Sequence, residues 1–177
     1  METIRIRRAR ETDLAELNEI YNETVRNSVF AFDVHQKTAE ERRTWFAAHV
    51  PPYAVFVAEV NGTVAGWASI SPWAPHGAYA ATGEHSLFVG ARHRGAGVGK
   101  ALLAVVIEEA ERTGFHVLIG RITAGNAISH ALHRAFGFEE IGTMREVGWK
   151  FGRWLDVCLV QRILSANKPP GTDMAGV

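Results

Sequence analysis

The chain has 177 residues, of which 47% are hydrophobic and 21% charged, and its formal net charge is zero. This composition is typical of a globular protein, and a neutral chain offers no global field that would attract nucleic acid or a membrane surface. The single cysteine, Cys158, excludes an internal disulfide framework, and no apolar run reaches transmembrane length. We therefore expect a cytoplasmic protein with one domain over residues 1–164, no nucleic-acid or membrane partner, and a disordered polar tail over residues 165–177.

The first fifty residues predict one strand and two helices. The alternating IRIRRA predicts a strand, and Thr12 is the expected cap of the helix that follows. The apolar positions of this helix share one face and are Leu14, Leu17, Ile20, Tyr21 and Val25. NSVFAFD breaks the pattern and predicts a loop that carries two aromatic residues. Thr38 and Glu41 then form a capping box, which predicts a second, short helix.

The middle of the chain predicts a hairpin and a long loop. YAVFVAEV and TVAGWASI alternate as strands do, and the intervening Asn61-Gly62 is a strong signal for a two-residue hairpin turn. SPWAPHGAYAATG has two prolines and no period, so we expect a loop that is long enough to be functional. EHSLFV is the next predicted strand.

A glycine-rich segment opens the second half. It is followed by a helix that Gly114 ends, by the strand HVLIGRIT, and by a helix between Asn126 and Gly137. FEEIGTMREVGWKF and RWLDVCLVQRIL predict a final strand pair. Strands that alternate with helices and hairpins predict an α/β (or α+β) fold, in which helices flank a mixed central sheet.

The glycine-rich segment RHRGAGVGK predicts an anion site. Gly95, Gly97 and Gly99 allow the backbone N–H groups to approach a ligand at the start of a helix, and the flanking arginines and lysine add positive charge. A diphosphate fits this pattern. The P-loop motif does not fit, because its lysine is followed by Ser or Thr and Lys100 is followed by Ala101. The dinucleotide motif does not fit either, because Lys100 occupies the position of its third glycine. A tight turn with solvated arginines is the alternative.

The run Arg92-His93-Arg94-Gly95-Ala96-Gly97 matches R/Q-x-x-G-x-G/A and resembles the pyrophosphate loop of the GNAT superfamily of N-acetyltransferases. The order of elements agrees: a strand, the loop, a long helix, a strand, Asn126, a short helix and Gly137-Phe138. This resemblance covers residues 3–164 and implies the GNAT fold.

The resemblance implies acetyl-CoA as cosubstrate and no metal. It implies that Leu87, Phe88 and Val89 offer their backbone to the pantetheine arm, and that Asn126 contacts the cosubstrate near its thiol end. The pyrophosphate would lie against Arg94, Gly95, Ala96, Gly97, Val98, Gly99 and Lys100. The histidines of the chain do not show metal-ligand spacing.

Further motifs resemble one branch of the superfamily. Glu84-His85-Ser86, His133 and the run from Val147 to Val157 are similar to the phosphinothricin acetyltransferase family, and above all to its methionine sulfoximine and methionine sulfone acetyltransferases. The resemblance implies a homodimer that acetylates the α-amino group of a small amino acid. One departure is Ala74, which follows the tryptophan of the substrate loop. The sulfoximine enzymes have an arginine at this position, and the phosphinothricin enzymes have a lysine.

Acetyl transfer to an amine requires a base, because an α-amino group is largely protonated at neutral pH. The resemblance makes Glu84 the candidate base, acting through a water, and His133 the acid for the departing thiolate or a second proton relay. The two residues remain alternatives for the base. The backbone N–H of Val89 is the expected donor to the thioester carbonyl.

The predicted substrate site comprises Phe32, Trp73, Ala74, Pro75, His76, Glu84, His85 and Ser86. Structural roles are open for several of them: Phe32 and Trp73 as core aromatics, Glu84 as a surface carboxylate, and His85 as a packing residue. His133 has the same alternative as a core histidine. The competing functions are acetylation of another small amine or of a protein N-terminus, and acyl-CoA sensing without catalysis.

Overall fold

The computed structural model describes residues 3–164, so the predicted tail, residues 165–177, lies outside the described residues. The strands of this range are β1 (Ile4–Arg8), β2 (Ala54–Val60), β3 (Thr63–Pro72), β4 (Thr82–Val89), β5 (Val117–Thr123), β6 (Glu139–Lys150) and β7 (Arg153–Ile163). The α-helices are α1 (Leu14–Asn27), α2 (Ala39–Ala47), α3 (Val98–Arg112) and α4 (Ala127–Ala135). This mixed sheet with flanking helices confirms the predicted fold class.

The seven described strands form one sheet in the order β1-β2-β3-β4-β5-β7-β6. Neighbours are antiparallel except β4 and β5, which are parallel and pair only from Thr82–Glu84 to Val117–Ile119. Beyond this point β4 stays paired with β3 as far as Val89, and β5 stays paired with β7 as far as Thr123. The two strands therefore part in the middle of the sheet and leave a cleft between them.

Local signals set several element boundaries as expected. Asn61 and Gly62 have φ angles of 52° and 79°, the left-handed values that a type I′ hairpin turn requires. The capping box of α2 is present, since Thr38 N donates to Glu41 at 2.8 Å and Glu41 N donates to Thr38 at 3.2 Å. Both signals act within a few residues, and both predictions are confirmed.

The predicted cap of α1 at Thr12 is wrong. Thr12 lies inside a short 3₁₀ turn, Glu11–Asp13, that precedes the helix. Asp13 accepts the backbone N–H of Arg10 at 2.6 Å and a bidentate ion pair from Arg7 at 2.7 and 2.8 Å. The ionised carboxylate of Asp13, which an arginine of β1 holds in place, is a stronger acceptor than a threonine hydroxyl.

The core occupies both faces of the sheet. On one face α3 packs through side chains that follow a helical spacing and are almost fully buried: Val98, Leu102, Leu103 and Val106. On the other face α1 and α2 cover Trp67 of β3, and the buried guanidinium of Arg42 lies 4.7 Å from the ring centroid of Trp45 and 5.3 Å from that of Trp67. Cys158 is buried in β7, which confirms its interpretation as a core residue.

Among the helices of residues 3–164, none combines the length and the apolar character that a membrane span requires.

Gly66 fixes the approach of β3 to the start of α3. A Cβ at this position would lie 2.8 Å from the carbonyl oxygen of Phe88 and 3.1 Å from the Val98 side chain. Gly66→Ala should lower the free energy of unfolding by about 1–3 kcal/mol in urea titrations, because the backbone oxygen cannot move aside as a side chain does. Gly142→Ala is the matched control, since nothing lies within 4 Å of its added Cβ. Equal losses in the two variants would contradict this account.

Candidate active site

The glycine loop has the geometry of an anion site. Gly95 and Gly97 have φ angles of 78° and 88°, which turn the backbone toward the first residue of α3, Val98. Gly97 is the N-cap of α3 and no side chain caps this helix, so its first N–H groups are available to a ligand. Arg94 donates from Nε to the carbonyl oxygen of Val89 at 3.2 Å, which fixes the loop against the end of β4. This loop fits a diphosphate.

The cleft between β4 and β5 opens into a cavity of about 1280 Å³ that also reaches the glycine loop. Most of the residues predicted to bind acetyl-CoA line it: Leu87, Phe88, Val89, Arg94, Gly95, Gly97, Gly99, Lys100 and Asn126. Ala96 and Val98 do not, and the Val98 side chain is buried in the core. No strand of residues 3–164 pairs with the β5 side of β4 beyond Glu84, so backbone groups there are free to bind the amides of an extended ligand.

The predicted substrate residues divide into two sets. Phe32, Glu84, His85 and Ser86 line the cavity. The loop residues Trp73, Ala74, Pro75 and His76 do not line it. Trp73 nevertheless reaches the site indirectly, because its ring lies below the guanidinium of Arg121, with 5.5 Å between Cζ and the ring centroid.

Glu84 forms an ion pair that the sequence analysis missed. Its carboxylate accepts Nε of Arg121 at 2.7 Å and also Nη2 of Arg121. The last parallel pair of β4 and β5 joins Glu84 to Ile119, so Arg121, two residues further along β5, has its side chain on the same face. The signal available in the sequence was an arginine inside the otherwise apolar strand VLIGRIT.

His85 and His133 form a buried pair below this point. Their Nε2 atoms lie 2.8 Å apart, and Nδ1 of His133 lies 2.7 Å from the carbonyl oxygen of Ser129. Because a carbonyl only accepts, Nδ1 of His133 carries the proton, and the Nε2–H of His85 donates to Nε2 of His133. Gly120 provides the space, since a Cβ there would lie 2.7 Å from the His85 ring.

Burial keeps both rings neutral. Burial, together with a smaller effect of the neighbouring His133, lowers the pKa of His85 from 6.5 to about 3. Burial also lowers the pKa of His133, and the hydrogen bond to the carbonyl oxygen of Ser129 offsets part of this shift. With both nitrogens of His133 engaged by protein partners, this geometry suits a proton relay or a core histidine better than direct donation to a thiolate.

The loop that carries Phe32 is held by β6. Lys150, which is buried, donates from Nζ to the carbonyl oxygen of Ala31 at 2.7 Å. The ring of Phe32 lies against Gly148, where an added Cβ would approach its Cζ to 2.2 Å. Phe32 therefore forms a wall of the cavity that contacts β6 and remains 44% exposed.

One group of side chains within the described range has the composition of a metal site: His130, Glu140 and Cys158, with ligand atoms within 4.8 Å of one another. The spacing of histidines in the sequence did not indicate this group, because its three members come from α4, β6 and β7. His130 Nδ1 lies 2.8 Å from Glu140, and burial raises the pKa of the Cys158 thiol. A raised pKa disfavours the thiolate that a metal would bind, so these contacts favour a structural role.

Comparison with known families agrees with this geometry. Residues 6–159 match the family model described as the acetyltransferase (GNAT) domain. The chain belongs to the GNAT acetyltransferase family. This confirms the superfamily and the enzyme class that the loop motif predicted, and the alternative of a non-catalytic sensor is not retained.

Relatives of this GNAT protein include named enzymes. It is 38% identical to the L-methionine sulfoximine/L-methionine sulfone acetyltransferase of Salmonella typhimurium over 166 residues, which cover 93% of this chain and 97% of that protein. A phosphinothricin acetyltransferase of Sinorhizobium meliloti, solved in complex with AcCoA, superposes with a TM-score of 0.90 at 36% identity and covers 99% of this chain and 95% of its own. These relatives confirm the predicted branch, and the AcCoA complex supports acetyl-CoA as the cosubstrate.

A third relative has a different described substrate. A structure from Brucella melitensis, described as a ribosomal-protein-alanine N-acetyltransferase, has a TM-score of 0.88 and 45% identity over 90% of this chain and 99% of its own. The fold of the GNAT protein is thus shared by relatives that differ in their described acceptor.

The buried His85 predicts a pH-dependent stability. The pKa of His85 is lower in the folded protein than in the unfolded chain. Its contribution to the free energy of unfolding is therefore complete above pH 6.5. This contribution is lost as the pH falls from 6.5 toward 3, because in this range only the unfolded chain gains the proton. Between pH 7.5 and 5.0, His85 should account for a loss of about 2 kcal/mol in the free energy of unfolding, measured by urea titration. His85→Leu should show a correspondingly smaller pH dependence, and the exposed His35→Gln should match the wild type. An unchanged dependence in His85→Leu would contradict the assignment.

Proposed function

We propose that the protein transfers the acetyl group of acetyl-CoA to the α-amino group of a small amino acid such as L-methionine sulfoximine, methionine sulfone or phosphinothricin. The observation that carries the proposal is the position of Glu84, which lies where β4 and β5 part, in the cavity that the glycine loop also lines. The described activities of the Salmonella and Sinorhizobium relatives support the substrate class.

The cosubstrate would lie along β4 and the start of α3. The N–H groups at Gly97 and Val98, with Lys100 and Arg94 nearby, would bind the diphosphate. The unpaired backbone of β4 beyond Glu84 would receive the pantetheine amides, and Asn126, at the N-cap of α4, would contact the cosubstrate near its thiol. This arrangement directs the thioester toward Glu84.

In the proposed reaction Glu84 accepts a proton from the ammonium group of the substrate, through a water, so that a neutral amine can attack the thioester. The backbone N–H of Val89 would stabilise the developing negative charge on the carbonyl oxygen. The tetrahedral intermediate would then collapse with cleavage of the C–S bond. The second proton lost by the amine would pass to the departing thiolate of CoA, with His133, which lines the same cavity, as the candidate relay. Glu84 would return its proton to solvent. Holding the amine and the thioester in one cavity provides much of the rate enhancement.

A second candidate is a protein N-terminus, which the described activity of the Brucella relative supports. The wall formed by Phe32 favours a small acceptor, because it narrows the cavity on the side of β6. The two candidates differ in whether short peptides that begin with alanine are acetylated faster than free amino acids.

Glu84→Gln tests the proposal, because it keeps the shape of the side chain and removes the base. The wild type should release thiol from acetyl-CoA with methionine sulfone, methionine sulfoximine or phosphinothricin, and the variant should lose about 10²–10⁴-fold in kcat. The KM for acetyl-CoA should not change. The exposed Glu108→Gln of α3 is the control.

A wild type that acetylates alanine peptides and no amino acid in the panel would favour the second candidate. A Glu84→Gln variant with full activity would remove Glu84 from the mechanism.

We further propose a homodimer that forms through the β6–β7 hairpin, in a cytoplasmic enzyme whose catalytic domain spans residues 1–164. The support is a surface of exposed apolar side chains: Val147, Trp149, Phe151 and Trp154, which are 48%, 55%, 60% and 59% exposed. Trp149 and Trp154 face each other across the strands, with ring centroids 5.1 Å apart. A second copy of the chain would cover this surface.

Light scattering coupled to gel filtration tests the homodimer. The wild type should have twice the mass of the chain. Trp149→Ser combined with Trp154→Ser should have the mass of one chain, because the proposed interface loses its two tryptophan rings. Val50→Ser, at an equally exposed valine on another part of the surface, should remain dimeric. A monomeric wild type would contradict the proposal.

A further inference from the structure

Ala74 carries no charge, and the loop residues Trp73, Ala74, Pro75 and His76 do not line the cavity, so the carboxylate of an amino-acid substrate needs a cation from another element. The arginine and lysine side chains that line the cavity are Lys37, Arg42, Arg94, Lys100 and Arg121. Arg94 and Lys100 belong to the glycine loop. Lys37 is 3.2 Å from Asp33, and Arg42 is buried among aromatic rings. Of these five cations, Arg121 is the one that is hydrogen-bonded to the candidate base, Glu84.

We propose that Arg121 binds the α-carboxylate of the amino-acid substrate. With Glu84 it forms a receptor for a zwitterion, in which the carboxylate of Glu84 faces the substrate ammonium group and the guanidinium faces the substrate carboxylate. The inference rests on the proposed function and specifies its substrate class as amino acids with a free α-carboxylate.

The guanidinium has an edge available for this role. Glu84 accepts from Nε and Nη2, which form one edge of the planar fork. Among the described residues Nη1 has no hydrogen-bond partner, so the Nη1/Nη2 edge can bind a second carboxylate in the bidentate geometry that arginine favours. The Arg121 side chain is 51% exposed, which leaves it accessible from the cavity.

The covalent geometry of an amino acid matches the separation of the two groups. The α-nitrogen and the carboxyl carbon are joined through one carbon and lie about 2.5 Å apart. A cation that binds the α-carboxylate must therefore lie next to the group that accepts the ammonium proton. Arg121 meets this condition because it is hydrogen-bonded to Glu84, whereas a cation for the distal head of the substrate would lie several bonds further away.

Trp73 acts as a positioning residue for this cation. The guanidinium lies over its ring, with Cζ 5.5 Å from the centroid, and this contact restricts the rotation of a side chain that is otherwise half exposed. The tryptophan of this loop therefore contacts a cation that β5 supplies.

The test compares methionine sulfone with its carboxamide, which keeps the amine and the head but lacks the negative charge. The wild type should prefer the acid. Arg121→Ala should reduce the preference for the acid over the carboxamide, taken as the ratio of their kcat/KM values, by about 10- to 100-fold, because a charge-assisted bidentate contact is lost. The ratio cancels any effect of the lost Arg121–Glu84 pair on both acceptors, and the KM for acetyl-CoA should not change. Arg134→Ala, which removes an exposed arginine of α4 outside the cavity, should behave as the wild type.

A second variant keeps the positive charge on β5. Arg121→Lys should retain part of the preference for the acid over the carboxamide that Arg121→Ala loses, a difference that misfolding cannot produce.

The outcomes distinguish a wrong assignment of Arg121 from a wrong proposed function. An active wild type whose preference for the acid persists in Arg121→Ala contradicts the assignment of Arg121 and leaves the proposed function standing. A wild type that acetylates no free amino acid contradicts the proposed function, and with it the substrate class inferred from Arg121.

Discussion

The short parallel pairing of β4 with β5 is the constraint on which the site depends. The two strands share hydrogen bonds only as far as Glu84 and Ile119, and each then stays with its other neighbour. A sheet that parts in this way leaves unpaired backbone groups in its interior, which is unfavourable unless a ligand or water satisfies them. The same division places Glu84 and Arg121 on opposite arms of the cleft, close enough to form an ion pair. Binding groups and catalytic candidates thus have a single structural origin.

Two polar pairs occupy this region and differ in character. Glu84 and Arg121 form an ion pair that lines the cavity, where the guanidinium is half exposed. His85 and His133 lie beneath them, buried and neutral. A buried charge is costly without a partner, whereas two neutral imidazoles can share one hydrogen bond between their Nε2 atoms at a lower cost. The histidine pair therefore fills the interior beneath the cleft without adding a charge, and the ion pair lies on the side that faces the cavity.

The sequence predicted those features whose signals are local. The glycine loop, the Asn61-Gly62 turn and the Thr38 capping box each act over a few residues, and the structure contains all three. Contacts between distant residues could not be predicted in this way. The ion pair between Glu84 and Arg121 spans 37 residues and depends on the register of β4 and β5. Thr12 was a wrong prediction because the carboxylate of Asp13, held by Arg7 of β1 and by the backbone N–H of Arg10, supports a 3₁₀ turn that contains Thr12 ahead of the helix.

The contact between Lys150 and Ala31 has a consequence for the order of folding. It joins residues separated by 119 positions, whereas β4, the glycine loop and the start of α3 follow one another directly along the chain. Closing so long a loop carries a larger entropic penalty than forming neighbouring elements, and contacts of high sequence separation slow folding. We expect the half of the cavity that receives the cosubstrate to become ordered early, and the wall of the acceptor pocket only after the last hairpin has docked. A nascent chain whose β6 has not yet left the ribosome would therefore present β4 and the glycine loop before the wall formed by Phe32 is in place.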